Sequence, residues 1–89
     1  MKAAKTATYF VYVLCNSKGI LYTGIAKDIE ARLALHNKGE GAKFTRGRGP
    51  WRLGHREGPF AHGAALKREA ALKRDRHFKA ELKAMLGVF

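Results

Sequence analysis

A chain of 89 residues has room for one domain and a single modest core. Its 46% hydrophobic content excludes a disordered chain, while 18 Lys and Arg against 7 Asp and Glu leave a net charge of +11. So large a charge on so small a surface calls for an anionic partner. No basic amphipathic helix with aromatic anchors is present, so that partner is expected to be nucleic acid rather than a membrane.

The first eight residues carry Lys2 and Lys5 ahead of a short apolar run. The run is too short, and too rich in β-branched and aromatic residues, for a signal peptide, and it reads as a strand over residues 9–15. Asn16-Ser17-Lys18-Gly19 is a turn, and residues 20–25 form a second strand. A three-residue loop with Gly19 in the left-handed position pairs Asn16 with Ile20, Leu14 with Tyr22 and Tyr12 with Gly24. That register places Tyr12 and Tyr22 on one face, with space beside the Tyr12 ring at Gly24. A two-residue loop would place the tyrosines on opposite faces. Tyrosines in strands are also ordinary packing residues, and either one alone is read first that way.

Asp28 is the expected N-cap of a helix over residues 28–37, ended by Gly39. Arg32 and His36 share one face of it. They suit an anionic site, where the planar arginine fork grips a phosphate and the imidazole moves a proton. A solvated face with Arg32 paired to Asp28 fits this segment equally well. Residues 38–50 are rich in glycine and cations. Lys43, Arg46 and Arg48 supply non-specific attraction to phosphates, and Phe44 and Trp51 offer rings for stacking on unpaired bases. A mobile solvated loop is the alternative. The segment matches neither a P-loop nor a dinucleotide fingerprint, since Phe44 follows Lys43 and no glycine occupies the sixth position.

A weaker third strand is predicted over residues 51–57, then helices over 63–74 and, capped by Asp75, 75–86. Phe78, Leu82, Met85 and Leu86 form the expected core stripe of the last helix. Glu69 lies three residues after Leu66 and three before Leu72, near the apolar side of its helix. A carboxylate there is costly unless paired or bound to metal. Either an i, i+4 salt bridge to Lys73 or a hard divalent cation satisfies it. The order β-β-α-β-α-α predicts an α+β domain, a small three-stranded antiparallel sheet flanked by helices. Residues 1–89 form one unit, with the core over 9–82. The single cysteine, Cys15, forms no internal disulfide, and no Cys/His spacing suits zinc, which favours a reducing cytoplasm.

Taken together, Phe10-Val11-Tyr12, Tyr22-Thr23-Gly24, Arg32, His36 and Glu69 resemble the GIY-YIG nuclease family. Within it, the stretches LYTGIAKDIEARLALHN and GEGAKFTRGRGP resemble the small standalone bacterial UPF0213 group. The first tripeptide departs from Gly-Ile-Tyr but keeps the tyrosine. Lys27 is displaced from the lysine that excision-repair relatives carry, and takes no role.

The resemblance implies the GIY-YIG fold and a divalent-metal-dependent endonuclease acting on DNA more readily than RNA, in DNA repair or processing. Tyr12, Tyr22, Arg32 and His36 are the implied catalytic residues, Gly24 the structural residue beside them, and Glu69 the ligand for Mg²⁺ or Mn²⁺. Lys43, Arg46, Arg48 and Lys73 are the expected nucleic-acid contacts. A tyrosine at its usual pKa of about 10 is a poor base at neutral pH. Either its surroundings lower that value or His36 takes the proton. A non-catalytic nucleic-acid-binding module is the competing reading. A protein partner for targeting, and a monomer or weak dimer with Val88-Phe89 packed on a neighbour, are further expectations.

Overall fold

The computed structural model describes residues 7–87; the amino-terminal lysines and the Val88-Phe89 pair lie outside them. Three strands and three helices follow in the expected order: β1 (Tyr9–Cys15), β2 (Leu21–Ala26), α1 (Ile29–Lys38), β3 (Arg52–Phe60), α2 (His62–Arg74) and α3 (Arg76–Met85). The strands form one antiparallel sheet in the order β2-β1-β3.

The central strand explains its own composition. Val11 and Val13 face one way, into a core with Ala65, Leu72 and Leu82 of α2 and α3. Tyr12 and Leu14 face the other way, into a core with Ala26, Ile29 and Trp51. A strand covered on both faces reads as a continuous apolar run, and each such side chain contributes about 1.5–3 kcal/mol on burial.

Local signals set the ends of the elements. Gly19 has φ 79°, and its N–H donates to the Asn16 carbonyl. The Asn16 side chain accepts from the N–H groups of Lys18 and Ile20, which closes the three-residue loop. Tyr12 therefore pairs with Gly24 and Leu14 with Tyr22, the register that puts both tyrosines on one face. Asp28 caps α1 by accepting from the Ala31 N–H, and Gly39, at φ 83°, ends it. Asp75 caps α3 through the Phe78 N–H.

Two expectations about helix faces need correction. Met85 is 76% exposed, so Phe78, Leu82 and Leu86 carry the α3 stripe without it. Leu66 is 45% exposed, and the buried side of α2 is marked by Ala65 and Leu72. Glu69, four residues after Ala65, still borders that side. β3 also runs three residues past its expected end, through Pro59 to Phe60. It is an outer strand, where a missing N–H is tolerated. Between Glu57 and Phe60 it carries one residue more than β1 does between Val11 and Tyr9, a bulge at which Gly58 adopts φ 131°.

Glu57 ties β3 to α2. Its carboxylate accepts from Arg68 Nε at 2.6 Å and Nη2 at 3.0 Å, and contacts His55 Nε2 at 2.8 Å. The Arg68 hydrogen bonds, aided by His55 and opposed by partial burial, lower its pKa from 4.5 to about 2. The stabilisation is complete above the ordinary carboxylate value and is lost as pH falls from about 4.5 towards about 2. In melting curves, the advantage of the native protein over Glu57→Gln is expected to shrink through that window. A gap that stays constant down to pH 2 would contradict it.

Candidate active site

Tyr12 leans across β2. A Cβ built on Gly24 would stand 2.7 Å from the Tyr12 hydroxyl and 2.9 Å from its ring carbon, so only glycine leaves the phenol this position. From the opposite side α1 presents His36, 2% exposed, whose Nε2 lies 2.9 Å from the Tyr12 hydroxyl. Ile29 and His36 are the buried residues of α1, two turns apart on one face. Tyr22 joins this group, its ring centroid 5.0 Å from His36 and 6.4 Å from Tyr12.

Arg32, one turn before His36, is exposed, and its guanidinium lies near enough to the Tyr12 hydroxyl to favour the ionised phenol. Among the described residues it pairs with no carboxylate; its backbone N–H, not its side chain, reaches Asp28. Burial, reinforced by Tyr22, pushes the Tyr12 phenol up to about 12, with the Arg32 guanidinium pulling the other way. Burial and the Arg32 charge both hold His36 below its ordinary value. At neutral pH the pair is an un-ionised phenol against an uncharged imidazole.

Glu69 reaches the group from α2, close enough for its charge to oppose ionisation of Tyr12. Its Oε2 contacts Lys73 Nζ at 3.3 Å, the i, i+4 pair anticipated from spacing. Its side chain is 19% exposed, and among the described residues Oε1 meets no cation. No three His, Cys, Asp or Glu side chains cluster as a cage among those residues. Magnesium needs no such cage: one or two carboxylates suffice when water and phosphate oxygens complete the octahedron. Glu69 fits that donor set.

The basic loop is fastened to this centre. Asn37 donates from Nδ2 to the Trp51 carbonyl at 3.1 Å and accepts the Trp51 N–H at 2.6 Å. Asn16 donates to the Arg48 carbonyl at 2.9 Å. Lys43, Arg46 and Arg48 are exposed on the loop surface. Arg46 Nε donates to the Gly39 carbonyl, and Arg48 Nε to the Phe44 carbonyl, its guanidinium 4.8 Å above the Phe44 ring. Phe44 stacks on Tyr22 at 6.0 Å, linking the loop to the tyrosines. Trp51 is unavailable for stacking on bases. It is 3% exposed, packs in the α1-side core, and donates its indole N–H to the Thr45 carbonyl.

Two residues of this arrangement have no counterpart in the sequence reading. Thr45, wholly buried, places Oγ1 2.8 Å from His36 Nδ1. Gly41 lies so near the imidazole that a Cβ there would stand 2.6 Å from His36 Cγ. The only available sign was a threonine and a glycine in a loop whose path depends on distant asparagines.

Comparison with known proteins identifies the family. The model of the GIY-YIG catalytic domain matches residues 8–81. UPF0213 proteins of Staphylococcus aureus strains N315 and USA300 are each 47% identical over 66 residues, covering 74% of this chain and 80% of theirs. The solution structure of the UPF0213 protein BH0048 from Bacillus halodurans is similar, with a TM-score of 0.51 and 36% identity over 86% of this chain and 83% of that one. With the motif residues gathered around one buried tyrosine–histidine pair, and the family model spanning most of the chain, this protein belongs to the GIY-YIG family, among the UPF0213 proteins.

Proposed function

We propose that the protein is a divalent-metal-dependent endonuclease that hydrolyses phosphodiester bonds in DNA, serving DNA repair or processing in the cytoplasm. The observation that carries this reading is the Tyr12–His36 hydrogen bond with Arg32 beside it. A phenol held un-ionised is a poor base by itself. Bonded to a neutral imidazole, it passes its own proton on as it receives another. As water attacks phosphorus and the phosphorus–oxygen bond to the departing sugar breaks, the water's proton moves to the Tyr12 hydroxyl oxygen, the phenolic proton moves to His36 Nε2, and the leaving alkoxide takes a proton from solvent. His36 thus becomes the final proton acceptor and Tyr12 the relay.

Arg32 donates its guanidinium hydrogen bonds to the phosphoryl oxygens, where negative charge grows. Tyr22 packs against His36 and limits its motion. Glu69 would hold the divalent metal, which would supply Lewis acidity to the phosphoryl group. Lys43, Arg46 and Arg48 on the loop, and Lys73 beside Glu69, hold the polyanion without reading its bases. A free, buried Cys15 suits a reducing compartment, and no helix among the described residues is long and apolar enough to cross a membrane.

The test is cleavage of labelled single-stranded, duplex and branched DNA with Mg²⁺ or Mn²⁺ and with EDTA. Cutting that requires the metal is the expected result. Binding without cutting of any form would instead make the protein a nucleic-acid-binding module.

A further inference from the structure

We propose that Thr45 is a positioning residue that sets the tautomer of His36 and thereby the direction of the Tyr12–His36 hydrogen bond. The proposal rests on the proton-relay reading above for its catalytic consequence, and on geometry alone for the tautomer.

The Thr45 hydroxyl has one proton. Oγ1 lies 3.1 Å from the Ala42 carbonyl oxygen, which can only accept, so the proton goes there. Towards His36 Nδ1, at 2.8 Å, Oγ1 is therefore an acceptor, and Nδ1 carries the hydrogen. A neutral imidazole has one N–H, so Nε2 presents its lone pair to the Tyr12 hydroxyl, which must donate. The opposite tautomer would turn Tyr12 into an acceptor and leave Nδ1, which faces the wholly buried Thr45, without a donor.

The loop is built to hold this arrangement. The Thr45 carbonyl receives both the Trp51 indole N–H at 3.1 Å and the Arg48 N–H at 3.2 Å, which fixes the residue's backbone. Gly41 leaves the imidazole the space to meet Oγ1, and Thr45 is 0% exposed, so no solvent molecule replaces the hydroxyl. One orienting hydrogen bond to the far nitrogen of a working histidine is the general device for fixing its tautomer.

The test is long-range ¹H–¹⁵N correlation of the His36 ring, combined with cleavage kinetics, for the native protein, Thr45→Val and Thr45→Ser. The native ring is expected to show a protonated Nδ1 and a bare Nε2. Thr45→Val, close in shape but without the hydroxyl, should move the proton wholly or partly to Nε2. Its kcat should fall about 10–100-fold, the range for losing an orienting partner, with KM little changed. Thr45→Ser should restore both readouts. A native ring protonated at Nε2 would overturn the proposal, even if the valine variant does not fold. So would a valine variant that keeps both the native ring pattern and the native kcat. A protonated Nδ1 that moves on Thr45→Val in a protein that cuts no DNA would uphold the role of Thr45 and overturn the nuclease reading.

Discussion

Glu69→Gln is expected to lower the cleavage rate at least about a hundredfold, the scale of losing one strong electrostatic stabiliser. The substitution keeps size and shape and removes one charge. The lost pair with Lys73 lies at the surface on the lysine side, and such i, i+4 pairs contribute only about 0.3–0.5 kcal/mol, so the melting temperature should hardly move. The sign of a second effect sharpens the test. The Glu69 charge opposes ionisation of Tyr12, so removing it eases loss of the phenolic proton to His36. A fall in rate therefore reports the loss of what the carboxylate does at the phosphate, not harm to Tyr12. Cleavage by the glutamine variant at the native rate and metal requirement would remove Glu69 as the metal ligand.

The second large effect is at the hydrogen-bonded pair. Tyr12→Phe and His36→Ala should each reduce cleavage about a hundredfold or more. The double variant should be little worse than either single one, because a relay broken at one link is not broken further at the next. Tyr12→Phe keeps the ring over Gly24 and leaves His36 Nε2 without its donor, a cost of about 1–3 kcal/mol in stability. Far-ultraviolet circular dichroism and a melting curve would show that the fold survives. Rates that multiply in the double variant would show that the two groups act separately. An active Tyr12→Phe protein would leave His36 to take the water's proton directly.

Features governed by neighbours in the chain were legible in the sequence. Gly19 announced the loop length, and with period-two alternation this placed Tyr12, Tyr22 and Gly24 on one face. The caps at Asp28 and Asp75 were equally local. Glu69 was found near the apolar side of α2, though Leu66, one of the two residues used to place it, faces water. Met85 misled in the same way, since a helical stripe is broader than the partner that covers it. The loop over residues 39–50 was hidden for a different reason. Glycine and cations suggest a solvated strap, yet Asn16 and Asn37 bind its backbone from 32 and 14 residues away in sequence, respectively. No local pattern encodes such contacts, and without them Thr45 has no visible relation to His36. The same fastening turned Trp51 from an exposed ring into a core residue.

The outer strand β3 has a bearing on crowding. A protein carrying +11 is kept from its own copies by repulsion unless a polyanion cancels the charge. An open strand edge is then a hazard, because it invites another strand to add. Here the edge is a poor template. Pro59 offers no N–H, Gly58 bends the strand at its bulge, and exposed Arg52 and Arg56 line its length with charge. Copies brought close together once that charge is cancelled can thus stay separate folded molecules at concentrations where a smooth edge would nucleate aggregates.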